Sequence, residues 1–127
     1  MDRALDVLLV EDSPSDRRLV AEVLRDARFG IRLIEVDSGE EALAFLRHNR
    51  PDVVLLDLGL PGISGREVLA TVRGDTRLQG LPVVVLSGDE SDRAVIETLG
   101  LGAHEHVSKP LTLEQFLGVV EYVTQFA

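Results

Sequence analysis

Glu11-Asp12, Asp57, Ser87 and Lys109 each close a short apolar run of the sequence. They amount to three carboxylates, one hydroxyl and one ammonium. Adjacent carboxylates repel and raise one another's pKa. A hard divalent cation, Mg²⁺ or Mn²⁺, removes that conflict by taking carboxylate and carbonyl oxygens while keeping some waters. Asp57 with Glu11 and Asp12 are the candidate ligands, and the backbone carbonyl of Gly59 is a fourth. A carboxylate beside a metal and an ammonium can attack phosphorus. Lys109 and the metal would offset charge on the equatorial oxygens, and Ser87 would donate a hydrogen bond to one of them. The small residue Gly88 follows Ser87. Singly, each residue has a plainer reading: a capping or turn Asp, a capping Ser, a solvated Lys. Their joint position at the ends of apolar runs carries the chemical reading.

The elements that must position them follow from periodicity. Runs rich in Val, Ile and Leu predict buried strands at 7–10, 31–36, 53–56 and 83–86, with a weaker fifth at 104–107. Helix-period segments lie between them, over 15–28, 38–49, 64–73, 92–99 and 112–126. Ser38 with Glu41, and Thr112 with Gln115, form capping boxes. Gly30, Gly74 and Gly100 fall where a left-handed residue ends a helix. Five strands alternating with five helices predict an α/β fold, a doubly wound five-stranded parallel sheet covered on both faces. Right-handed crossovers favour the order 2-1-3-4-5. Such sheets bind ligands beyond the carboxyl ends of their strands, where all five candidate residues fall.

Composition narrows the function classes. The 127 residues carry 22 acidic and 13 basic side chains, a net charge of −9, which argues against nucleic acid or an anionic membrane as partner. Cysteine is absent, so thiol chemistry and disulfides are excluded. Lys109 is the one lysine beside 12 arginines. Neither a signal peptide nor a stretch of about 18 apolar residues is visible. The expectation is one domain over 1–127, cytoplasmic, without an output domain.

With these residues in place, the chain resembles response-regulator receiver domains over essentially its whole length. The resemblance is carried by VLLVEDSPSDRRLV at 7–20, PDVVLLDLGLPGISGREVL at 51–69, LPVVVLSGDE at 81–90 and GAHEHVSKP at 102–110. It implies a flavodoxin-like fold in which Asp57 accepts a phosphoryl group from the phosphohistidine of a sensor histidine kinase. It also implies that Glu11 and Asp12 organise Mg²⁺, that Ser87 and Lys109 hold the phosphoryl oxygens, and that the Lys109-Pro110 peptide is cis. Such a domain gains and loses its own phosphoryl group and is not a turnover enzyme. Two positions depart from the family pattern. His106 stands where a Tyr or Phe often reports phosphorylation, and adds a titratable ring. Glu11 replaces the commoner Asp, and its longer arm reaches a metal through water. Gly59 and Asp89 flank the site and are placed to tune hydrolysis.

A narrower resemblance is to stand-alone receivers paired with bacterial phytochrome kinases, through EDSPSDRRL, SGEEALAFLR, LPGISGREVL and LEQFLGVVEYVTQF. Phosphorelay and chemotaxis-type receivers share much of this pattern and remain alternatives. An aspartate-nucleophile phosphatase is less well matched, because Gly59 stands where its acid/base aspartate belongs. A nucleotide or flavin binder would need a Gly-rich phosphate loop in place of acidic residues. On the last helix Leu113, Phe116, Leu117, Val120 and Val123 form one apolar stripe, the expected core face. Val119, Tyr122 and Phe126 form a second, the expected face of a homodimer. In receivers that surface combines the fourth helix, the fifth strand and the fifth helix, and it is the expected switching face.

Overall fold

A strand whose residues are all apolar has to be covered on both sides. Val7–Val10 and Val53–Leu56 are such runs, and each of their residues is at most 1% exposed. The computed structural model describes residues 4–27, 30–88, 97 and 100–126, with side chains through residue 121. Five strands, β1 (Leu5–Val10), β2 (Ile31–Val36), β3 (Val53–Asp57), β4 (Val83–Ser87) and β5 (Glu105–Ser108), form one sheet in the order β2-β1-β3-β4-β5. All four pairings are parallel. The expected topology is therefore the observed one.

The two-residue strand period sends alternate side chains to two cores. Val7, Leu9, Leu55 and Leu86 meet Val20 and Leu24 of α1 (Pro14–Arg25) and Phe116 of α4 (Leu113–Phe126). Leu8, Val10, Leu56 and Val85 meet Ala42 of α2 (Gly39–Leu46) and Val68 and Leu69 of α3 (Gly65–Arg73). A short 3-10 turn, Thr76–Leu78, was not expected.

Serine hydroxyls start three helices by accepting an amide three residues on: Ser13 from Asp16, Ser38 from Glu41 and Ser64 from Glu67. Pro14 occupies the first position of α1, so that helix begins one residue earlier than the periodicity suggests. Thr112 and Gln115 close a reciprocal capping box, at 3.1 and 2.9 Å. Among the described residues the positive-φ glycines are Gly62, Gly80 and Gly102. Gly74, expected to be left-handed, instead ends α3 in a right-handed helical conformation.

The last helix corrects the expected division of its apolar residues. Phe116, Val119 and Val120 are 0%, 1% and 9% exposed and face α1 and the sheet. Leu117 is 41% exposed. The reason is phase: positions i, i+3 and i+4 share a face, and Leu117 is turned about 100° away from Phe116. Val119 is thus a core residue and not part of a dimer face. The side chains of Tyr122 and Phe126 lie outside the described residues. So does most of the predicted fourth helix. Glu97 accepts a hydrogen bond from the Leu101 amide at 3.0 Å, a helical i to i+4 contact.

Candidate functional site

Parallel pairing brings the carboxyl ends of β1, β3, β4 and β5 to one edge of the sheet. Asp57 is the last residue of β3 and Ser87 the last of β4, while Glu11-Asp12 follow β1 and Lys109 follows β5. The Lys109 amide donates to the Ser87 carbonyl at 2.9 Å, extending the β4–β5 ladder to the lysine. The Lys109-Pro110 peptide is cis, as expected. A cleft of about 410 Å³ opens at this edge and is lined by Glu11, Asp12, Asp57, Ser87, Gly88 and Lys109, with Gly59 also on its wall.

Asp57 and Ser87 are each 5% exposed and Glu11 is fully buried, whereas Asp12 is exposed. One oxygen from each of Glu11, Asp12 and Asp57 lies within 4.8 Å of the others. Asp57 Oδ1 accepts the Gly59 amide at 3.2 Å. Glu11 Oε2 accepts the Ser13 amide at 3.2 Å, and the Glu11 carbonyl accepts from the Arg17 guanidinium at 3.0 Å. The turn into α1 therefore folds over Glu11 and seals it.

The Lys109 ammonium is the hub. It lies 2.6 Å from Glu11 Oε1, 2.9 Å from Asp16 Oδ2 and 3.2 Å from Asp57 Oδ1. Burial by itself would lower the lysine pKa, but Glu11, Asp16 and Asp57 together hold it above its usual value. Glu11 is pushed up to about 7, first by burial and then by nearby Asp57, with Lys109 pulling the other way. Glu11 Oε1 is buried and, among the described residues, makes no well-directed hydrogen bond, its ion pair with Lys109 notwithstanding. Three hard oxygen donors, one of them so poorly satisfied, fit a divalent cation such as Mg²⁺ or Mn²⁺.

The structure gathers Glu11, Asp12, Asp57, Gly59, Ser87, Gly88 and Lys109 around the cleft, and His106 is not among the residues that line it. That histidine is on β5, paired with Val85, and is half-buried. Its Nε2 is buried with no hydrogen-bond partner among the described residues. Asp89 lies outside the described residues. Three residues are additions. Asp16 reaches Lys109 across 93 positions of sequence. Arg66 lines the cleft and pairs with Glu97 at 3.2 Å. Gly65 lets α3 start directly against β3, because a Cβ there would lie 2.8 Å from Leu58 Cα and against the Asp57 carbonyl. For Asp16, the only sequence signal was Ser13 three residues earlier, which reads as a helix cap.

Comparison with known proteins agrees with this geometry. The model of the response regulator receiver domain matches residues 7–121. The response regulator Rcp1 of Synechocystis is 37% identical over 94% of this chain and 86% of its own length. The Mn²⁺-bound structure of Rcp1 superposes with a TM-score of 0.79, covering 96% of this chain and 93% of that one. The phosphorylated cyanobacterial phytochrome response regulator RcpA gives 0.80 at 34% identity, covering 98% and 94%. The bacteriophytochrome response regulator RtBRR gives 0.84 at 32% identity, covering 95% and 78%. The chain belongs to the response regulator receiver domain family.

Proposed function

We propose that this chain is a signalling switch that accepts a phosphoryl group on Asp57 from the phosphohistidine of a sensor histidine kinase. The observation that carries this reading is the setting of Asp57. It is a nearly buried carboxylate at the floor of an open cleft, 3.2 Å from an ammonium and within 4.8 Å of two further carboxylates. In the transfer, an Asp57 oxygen forms a bond to phosphorus as the phosphorus–nitrogen bond of the phosphohistidine breaks. The bonding pair returns to the imidazole nitrogen. Glu11, Asp12 and Asp57, with the Gly59 carbonyl, would hold Mg²⁺, which when bound offsets carboxylate repulsion and charge on the transferring oxygens. Lys109 adds a compact positive charge and Ser87 a hydroxyl donor on the same wall.

The chain is an acceptor and not a turnover enzyme in this reading, and its output is a change of binding surface around β5. Its likeness to Rcp1, RcpA and RtBRR supports a bacterial phytochrome as the phosphoryl donor. The test is incubation with acetyl phosphate and Mg²⁺, followed by intact-mass spectrometry. A phosphoryl adduct that is lost in Asp57→Asn and lost with chelator is the expected result. An unmodified wild-type chain would refute the reading. Transfer from a phosphorylated phytochrome kinase, faster than from a chemotaxis kinase, tests the donor.

A further inference from the structure

We propose that Asp16 is a positioning residue that holds the Lys109 ammonium in the unmodified protein and yields it when a phosphoryl group occupies Asp57. The proposal rests on the phosphoryl-acceptor reading of Asp57. Its starting point is a count of donors. An ammonium has three N–H bonds and no acceptor. Lys109 faces three carboxylates, Glu11, Asp16 and Asp57, at 2.6, 2.9 and 3.2 Å. The contact to Asp16 is a well-directed hydrogen bond, whereas the one to Glu11 is an ion pair without one. With three carboxylates already packed around it, the ammonium has to surrender a contact to take up a phosphoryl oxygen.

The three contacts differ in what their loss costs. The Glu11 side chain is 1% exposed, and among the described residues its Oε1 has no well-directed hydrogen bond from elsewhere. Taking the lysine away leaves a buried carboxylate oxygen bare, which is expensive. Asp57 carries the incoming group, so the ammonium has to stay on its side. The Asp16 side chain is 35% exposed, and water can replace the lysine there at small cost. Asp16 also stands outside the trio of carboxylates that converge on one point. It sits in the first turn of α1, where Ser13 fixes its amide. The contact that yields is therefore the one to Asp16, and it competes with the phosphoryl group for the lysine.

Lys109 is the chain's only lysine, so [¹³C,¹⁵N]lysine labelling gives one side-chain signal. Beryllofluoride with Mg²⁺ serves as the phosphoryl mimic, and wild type is compared with Asp16→Asn and Asp16→Glu. In wild type the Lys109 signal shifts when the mimic binds. In Asp16→Asn the signal of the free protein already lies near the mimic-bound position, and the further shift is small. Mimic affinity in Asp16→Asn rises by up to about fivefold, the equivalent of one partly exposed ion pair. Asp16→Glu keeps a carboxylate and restores wild-type behaviour. A simple loss of helix stability would move none of these lysine readouts in that pattern. If the mimic binds but the lysine shift and affinity are the same in wild type and Asp16→Asn, the inference is overturned and the acceptor reading stands. If neither beryllofluoride nor acetyl phosphate modifies wild-type Asp57, the acceptor reading falls, and the inference with it.

Discussion

Lys109 is the residue on which the site's electrostatics converge. Removing its side chain leaves Glu11, Asp16 and Asp57 without their shared cation. Lys109→Ala is expected to keep an Asp57 adduct with acetyl phosphate, formed more slowly, but to lose the amide-shift changes that spread along β5. Wild-type shift changes in the modified variant would remove the lysine from the switch. Arginine is not an equivalent replacement, because a planar fork does not present three donors to three surrounding carboxylates. A second residue-scale prediction concerns His106, whose Nε2 is buried without a partner among the described residues. His106→Phe deletes that unpaired nitrogen and is expected to be neutral or stabilising by about 1 kcal/mol, read from urea unfolding. A clear loss of stability would mean that the nitrogen is satisfied. The five principal site residues were legible because each ends a strand, and a parallel sheet leaves few places for strand ends to go. Asp16 was not legible. Its partner is 93 residues away, and Ser13 gives it a sufficient local role.

At the scale of elements, two close approaches set how α3 meets the sheet. Gly65 leaves no room for a Cβ against Asp57 and Leu58, while among the described residues nothing lies within 4 Å of a Cβ built on Gly88. Gly65→Ala is therefore expected to cost about 1–3 kcal/mol by overpacking and to displace the backbone that carries Asp57. Gly88→Ala is expected to be nearly neutral. Equal urea midpoints for the two variants would contradict this account. The last helix offers a parallel contrast. Phe116 is fully buried, so Phe116→Ala should cost about 3–5 kcal/mol. Leu117→Ala, at a residue 41% exposed, should cost well under half as much. Apolar periodicity alone did not separate these positions. Leu113 to Val120 contains apolar residues on adjacent faces, and only packing against Val20, Leu24 and Val107 selects Val119 over Leu117. The strands were easier, because a run buried on both faces has no phase to choose.

At the scale of the molecule, the sheet order collects like charges at one edge, and folding has to tolerate them. Glu11 shows the cost. Its carboxyl is pushed from 4.5 up to about 7 in the fold, chiefly by burial. Between those two values the folded chain binds more protons than the unfolded chain, so stability falls as pH rises. Below 4.5 Glu11 is protonated in both states and contributes nothing to the slope. Above about 7 it is charged in both, and the full penalty is present, about 3 kcal/mol. In chelator, urea unfolding should thus report a stability decline from about pH 5 to about pH 7.5 that is shallower in Glu11→Gln. A divalent cation reverses the preference, because it binds the folded site and favours the charged carboxylate. Excess Mg²⁺ should stabilise wild type more at the upper end of that range than at the lower, and Glu11→Gln less than wild type at both. Parallel pH profiles for the two proteins in chelator would show that Glu11 does not carry the penalty. Equal Mg²⁺ stabilisation of both would remove Glu11 from the metal site.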